Sequence, residues 1–105
     1  MIVQGYLNAV RQAGVGVKQA ILYGSHARGM GDADSDIDIL VIAPEFDESL
    51  DQAQVDLLWS LRAYTDSRIE PLAVGEDRWR DDRDSMIIEI ARREGQAIPL
   101  RTQHS

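Results

Sequence analysis

The chain has 105 residues, of which 44% are hydrophobic, and carries a formal net charge of −7. Its length predicts one domain over residues 1–105, and its acidity argues against a phosphate-backbone footprint on DNA or RNA. Cysteine is absent, which excludes disulfides, thiolate zinc sites and cysteine nucleophiles. The sequence has no 18-residue apolar run and no leader-like start, so we expect a soluble, cytoplasmic protein without a membrane partner.

Hydrophobic periodicity and β-branched runs predict the element order α, β, β, α, β, α, with a short closing strand. The first helix ends at Gly14 and Gly16, and its predicted inward residues are Ile2, Tyr6, Leu7, Val10 and Ala13. Strands are predicted at 18–23, 36–43, 68–74 and 97–100. The relative direction of the first two strands stays open, because about a dozen residues is a cramped length for a parallel crossover.

The second half of the chain predicts two further helices. Ser49 and Gln52 form a capping-box pattern, and the predicted core face of the helix it opens is Leu50, Gln54, Leu57, Leu58, Leu61 and Tyr64. Residues 76–83 are charged and predicted to be irregular. The last helix is predicted at 85–94, and its inward residues are Met86, Ile87, Ile90 and Ala91. The tail from residue 101 is predicted to fray. This order predicts an α/β or α+β fold with a small sheet.

Asp36 and Asp38 are the first candidates for a chemical role. In a strand these two side chains point to the same face, about 6.5 Å apart along the chain, while Ile37 points to the core. Two such carboxylates can hold divalent metal, and a two-metal site needs ions only about 3.5–4 Å apart. Taken alone, the pattern favours two solvated carboxylates at a fraying strand end.

Gly24 and Ser25 form a small turn directly after a predicted strand. Such a turn lets backbone N–H groups and a hydroxyl approach an anion, and a helix beginning just after it would strengthen that site. Ten residues separate this turn from Asp36. Together the turn and the two aspartates form a plausible layout for holding a nucleoside triphosphate through a metal ion. Oxygen ligands without thiolates favour Mg²⁺ or Mn²⁺ over zinc.

Glu70 lies inside the apolar strand predicted at 68–74. If that strand neighbours the aspartate strand, Glu70 can reach the same metals or act as a general base. The alternative is a surface glutamate on an edge strand, which Pro71 supports. The two tryptophans, Trp59 and Trp79, are expected to pack or to meet a partner rather than to stack on a base.

The segment GSHARGMGDADSDIDILV at 24–41 resembles the signature of the minimal nucleotidyltransferase family, within the polymerase-β-like nucleotidyltransferase superfamily. That signature is Gly-Ser, ten residues, and Asp-x-Asp. The resemblance continues in the later strand that carries Glu70 and in Glu94-Gly95 before the closing strand. It spans nearly the whole chain and implies a small mixed sheet with helices packed on it.

The resemblance also implies roles for individual residues. Asp36, Asp38 and Glu70 would be the catalytic metal ligands, holding two Mg²⁺ ions. Gly24 and Ser25 would bind the triphosphate of ATP, and Arg28 would help with the phosphates, although a salt bridge from Arg28 to Asp32 or Asp34 is an equal alternative. Two positions depart from the family pattern: His26 replaces a basic residue, and the third carboxylate is Glu rather than Asp.

The implied reaction is metal-assisted transfer of a nucleoside monophosphate to a hydroxyl, with pyrophosphate leaving. The chain has no added domain to hold an acceptor, so the acceptor surface is expected on another protein. In the minimal family that partner is typically an all-helical HEPN toxin, and this chain would be the antitoxin that transfers AMP to a toxin tyrosine in a hetero-oligomer. The acidity of the chain suits a basic partner. Two alternatives are a non-catalytic antitoxin that acts by binding and a nucleotidyltransferase that modifies a small molecule.

Overall fold

One mixed sheet organises the part of the chain that the computed structural model describes, residues 2–24, 26, 27, 29, 31 and 35–100. Its strands are β1 (Gln19–Tyr23), β2 (Ile37–Ile42), β3 (Ile69–Val74) and β4 (Gln96–Ala97), in the spatial order β3-β2-β1-β4. The first three strands confirm the predictions to within one residue at each end. The fourth overlaps its predicted range only at Ala97.

The strand directions follow from the connections between them. β1 and β2 are antiparallel, which settles the direction that the sequence left open; their linker is rich in Gly and Asp and poor in residues that build a crossover helix. β2 and β3 are parallel, and the longer connection between them contains the helix that parallel pairing requires. β4 lies antiparallel to β1 at the opposite edge.

Helices cover both faces of this sheet. They are α1 (Ile2–Gln12), α2 (Glu45–Glu48), α3 (Gln52–Leu61), α4 (Glu76–Asp81) and α5 (Met86–Glu94), with a 3₁₀ turn at Arg62–Tyr64. α1 and α3 pack on one face, around Ile39 and Val41. α5 and the Trp79 side chain of α4 pack on the other, around Leu40 and Ile42. In the described residues no helix is long and apolar enough to cross a membrane.

The start of α3 differs from the prediction. Asp51, not Ser49, is the N-cap: its carboxylate accepts from Gln54 N at 3.0 Å, and the Gln54 side chain accepts from Asp51 N at 3.1 Å. Ser49 instead ends α2. The predicted core face is therefore wrong at its ends, where Leu50 is 45% and Tyr64 81% exposed, although Leu58 is buried as predicted.

The predicted inward face of α1 is confirmed at Tyr6, Leu7 and Val10 and is wrong only at its ends, whereas that of α5 is rotated. Val3 is buried in place of Ile2, and Ala13 is exposed. In α5 the buried residues are Ile88 and Ala91, whereas Met86 and Ile87 are exposed. In both helices the errors lie at the ends: Ala13 follows the last residue of α1, and Met86 and Ile87 are the first two residues of α5.

α4 occupies residues that the sequence predicted to be irregular. The Asp47 carboxylate of α2 accepts from Asp77 N at 2.7 Å and from Arg78 N at 3.3 Å, so it caps the N-terminus of α4 from outside. At the other end the Arg92 guanidinium donates to the carbonyl oxygens of Trp79 and Asp82. Both caps come from distant parts of the chain, and no local pattern shows them.

Candidate active site

The sheet register aligns Tyr23, Asp38 and Glu70 in one row. Tyr23 pairs with Asp38 across β1 and β2, and Asp38 pairs with Glu70 across β2 and β3. Neighbouring strands lie about 4.8 Å apart, and paired residues point to the same face. The row therefore lies on the α5 side of the sheet, like the buried Leu40 and the half-buried Leu72 of the same strands.

Three carboxyl groups meet at this row. Asp36 is exposed just before β2, whereas Asp38 and Glu70 are half-buried. Burial and the negative charge of Asp36 raise the pKa of Asp38. Burial and the same charge raise the pKa of Glu70, and hydrogen bonds from Glu70 to Asp36 and Asp38 raise it further. The negative charges of these carboxylates therefore repel one another, and a shared proton or a bound cation would reduce that repulsion.

Tyr23 is a neighbour of the site that the sequence reasoning missed. Burial and the charges of Asp38 and Glu70 raise the pKa of its phenol to about 12. Tyr23 stays neutral at physiological pH and borders the carboxylates as a hydroxyl group. The signal that could have found it is its position as the last residue of a strand before Gly24, but its place in the row depends on the antiparallel register.

Gly24 is required at its position for two reasons. Its φ of +77° lies in the left-handed region that side chains rarely adopt. A Cβ at this position would also lie 2.4 Å from Asp38 Oδ2. A side chain at this position would therefore force the Asp38 carboxylate to shift. The structure brings Gly24 next to Asp38, and Asp38 pairs with Glu70 on its other side.

Other predicted positions lie outside the described residues. They are Ser25, Arg28, Asp32, Asp34 and the tail 101–105. His26, which is described, is half-buried, and its Nε2 lies 3.3 Å from the Ser35 carbonyl oxygen. This contact joins the two ends of the linker, so it holds the Gly24 turn next to the start of β2.

A pocket of about 200 Å³ opens beside the carboxylates, and its lining residues are Tyr23, Asp38, Trp59, Glu70, Pro71, Leu72 and Ile87. We call its two carboxylates, Asp38 and Glu70, the floor and its apolar side chains the walls. A second pocket of about 200 Å³ involves residues of the other face, Ile2, Val3, Leu22, His26, Ile37 and Arg68. Only the first contains two of the candidate carboxylates.

The donor chemistry of the carboxylates suits a hard divalent cation, because Mg²⁺ and Mn²⁺ prefer oxygen ligands. Among the described residues, no three His, Cys, Asp or Glu side chains are arranged as a ready metal-binding group. The Glu70 side chain is within hydrogen-bonding reach of Asp36 and of Asp38. Metal binding would thus require their side chains to exchange those contacts for contacts with the ion.

Comparison with solved structures shows the same fold in two other proteins. An inferred nucleotidyltransferase from Sulfolobus solfataricus is similar with a TM-score of 0.59 and 17% identity, over 79% of this chain and 72% of that one. A toxin–antitoxin structure with AMP-PNP is similar with a TM-score of 0.64 and 22% identity, over 90% of this chain and 70% of that one.

At the level of sequence, no protein of curated function matches the chain. The profile of the nucleotidyltransferase domain family matches residues 3–95. That range contains the glycine turn and all three clustered carboxylates. The chain belongs to the nucleotidyltransferase domain family.

Proposed function

We propose that this chain is an antitoxin that transfers AMP from ATP to a tyrosine hydroxyl of a HEPN-family toxin and so neutralises it. The observation that carries the proposal is the approach of the Gly24 turn to Asp38 within a cluster of three carboxyl groups. Family membership supports nucleotidyl transfer. The fold shared with a toxin–antitoxin structure that contains AMP-PNP supports the choice of partner and nucleotide.

Under this proposal the residues divide into two groups. The turn at Gly24 and Ser25, with Arg28, binds the triphosphate. Asp36, Asp38 and Glu70 hold two Mg²⁺ ions, which would neutralise the carboxylates and the phosphate oxygens. The raised pKa values of Asp38 and Glu70 fit this assignment, since they report a repulsion that bound cations remove.

The transfer forms one bond and breaks one bond. The acceptor oxygen attacks the α-phosphorus of ATP, the bond from that phosphorus to the bridging oxygen breaks, and pyrophosphate leaves with the electron pair. The hydroxyl proton passes to a carboxylate oxygen of Glu70, which lines the open pocket.

Intact mass spectrometry tests the proposal directly. The chain is incubated with ATP, Mg²⁺ and the HEPN protein, and we expect the partner to gain the mass of AMP. The Asp36→Ala/Asp38→Ala double variant should abolish the gain, and a chelator should do the same. Asp56→Ala, at an exposed acid of α3, is the matched control and should transfer normally. Stable binding of the two proteins without added mass would refute the proposal.

A second candidate function is neutralisation by binding alone. The fold shared with a toxin–antitoxin structure supports an antitoxin role of either kind. The same double variant separates the two functions in cells that express the toxin. If the variant protects at native expression as well as the wild type, contact suffices and catalysis is not the mechanism. If protection is lost while binding remains, transfer is the mechanism.

A further inference from the structure

The pocket extends from Tyr23 and Asp38 toward β3, and Gly24 of the turn is not among its lining residues. The turn follows β1, whereas Pro71 and Leu72 belong to β3, the edge strand two positions away. Two strand spacings amount to about 10 Å. In an in-line displacement the acceptor enters opposite the leaving group. If pyrophosphate leaves on the side of the turn, the acceptor must therefore arrive through this pocket.

The size and charge of the pocket indicate which kind of group, a nucleotide or a protein side chain, it can receive. Its volume of about 200 Å³ is below the roughly 300–1,000 Å³ usual for sites that enclose a small-molecule ligand. Its lining contains two acids and no Lys, Arg or His, so it does not attract phosphates. A single neutral side chain fits both facts better than a nucleotide.

The walls favour an aromatic side chain. Trp59 and Ile87 are 40% and 44% exposed at the rim, so their apolar surface is available to a partner. The Arg62 guanidinium lies 4.7 Å from the centre of the Trp59 ring and donates to the Ile69 carbonyl oxygen at 3.2 Å. These contacts hold the Trp59 ring in place. An aromatic side chain of the partner would pack against that ring, while a serine would be too short to contact both the walls and the floor of the pocket.

We propose that this pocket, walled by Trp59 and Ile87 and floored by Asp38 and Glu70, receives the acceptor tyrosine of the partner protein. The inference rests on the proposed function and deepens it, because it assigns the acceptor side of the site and its specificity-determining residues. Tyrosine meets both requirements: its ring contacts the apolar walls and its hydroxyl reaches the carboxylates. The acid floor and the net charge of −7 match a partner whose surface around that tyrosine is basic.

The test compares two pocket variants with two controls matched for exposure. Trp59→Ala and Ile87→Ala remove the walls. Tyr64→Ala removes an aromatic that is 81% exposed, and Leu50→Ala an aliphatic that is 45% exposed; neither lines the pocket. The measured quantities are kcat and KM for AMP transfer to the HEPN partner, and the Kd for AMP-PNP. Circular dichroism melting checks the fold of each variant.

We expect each pocket variant to raise the KM for the partner at least about fivefold, as truncation of a central interface residue does. The Kd for AMP-PNP should stay within about twofold of wild type, and both control variants should match wild type. Because the two pocket residues lie on different helices, Ile87→Ala keeps the test decisive if Trp59→Ala fails to fold.

Three results would overturn the inference. An unchanged partner KM in the folded pocket variants would show that the acceptor enters elsewhere. A Kd for AMP-PNP that rises as much as the partner KM would assign the pocket to the nucleotide. A wild-type chain that binds its partner without transferring AMP would refute the proposed function, and the acceptor pocket would fall with it; that result is distinct from the first two, in which wild type transfers normally.

Discussion

Replacing Glu70 with Gln should stabilise the metal-free protein while it abolishes transfer. Glutamine keeps the shape of the side chain but removes a negative charge that faces Asp38 across the β2–β3 pair. Like charges on facing strand positions cost roughly 0.2–1 kcal/mol. Glu70 is half-buried and also interacts with Asp36, so we expect a gain of about 0.5–1 kcal/mol. For a chain of this length that corresponds to a rise in Tm of about 2–5 °C.

The pH dependence of this gain follows from the direction of the pKa shift. The pKa of Glu70 is raised in the folded protein, so the folded state binds its proton more tightly than the unfolded chain does. The cost of the charge is absent below the unfolded pKa of about 4.3 and develops as the pH rises through the folded-state pKa. The advantage of Glu70→Gln should therefore be full at pH 7.5 and vanish near pH 4.

Thermal unfolding followed by circular dichroism in the presence of a chelator measures this gain. Glu48→Gln, at an exposed glutamate of α2 beyond the other end of β2, is the control and should leave Tm within about 1 °C of wild type. Added Mg²⁺ should raise the Tm of wild type more than that of Glu70→Gln, because a ligand stabilises the state that binds it. A Glu70→Gln protein that melts below wild type in chelator would refute the reasoning, since it would show that the glutamate stabilises the fold.

Three further predictions follow from other contacts. Gly24→Ala should cost about 1–2 kcal/mol of stability for the left-handed backbone, and it should also abolish AMP-PNP binding, because its Cβ would lie 2.4 Å from Asp38 Oδ2. The control Gly14→Ala has a φ of +102° but open space around it, so it should lose stability and keep AMP-PNP binding, as a titration with AMP-PNP would show. Tyr6→Phe should lower the free energy of unfolding by about 1–2 kcal/mol in urea, since the buried phenol donates to the Leu58 carbonyl oxygen at 2.7 Å; an unchanged urea midpoint would contradict this. Asp82 has its pKa lowered to about 2 by Arg78 and by two backbone N–H groups, so its stabilisation is present above pH 4 and is lost as the pH falls through 2. Asp82→Asn should melt below wild type at pH 7, and the difference should shrink as the pH falls from 4 to 2; a difference that stays constant over that range would show another cause.

Much of the fold was predictable because its strands are short apolar runs bounded by Gly, Pro and Asp. β2 illustrates this: its β-branched residues and the following Pro44 marked it to within one residue. Family membership was predictable as well, since the glycine turn and the two aspartates ten residues later lie in one continuous stretch of chain. Glu70 is indicated by a different feature of the sequence, since it is an acid in an otherwise apolar strand.

The helices were harder to predict because their ends depend on partners far away in the chain. The N-terminus of α4 is capped by Asp47, 30 residues before Asp77, and its C-terminus by Arg92 of the next helix, α5. The rotation of α5, which exposes Ile87 and buries Ile88, is set by the sheet against which the helix packs. A periodic pattern in the sequence cannot distinguish two adjacent apolar residues at the edge of that face.

Local sequence thus determines the strands, the Gly24 turn and the presence of a nucleotidyltransferase signature, because each depends on residues that are neighbours in the chain. The arrangement of the site depends on tertiary structure. The antiparallel pairing of β1 with β2 and the parallel pairing of β2 with β3 place Tyr23, Asp38 and Glu70 in one row. The walls of the adjoining pocket come from α3 and α5. Strand register and helix rotation are set by contacts between distant residues, and they decide which side chains meet at the carboxylates.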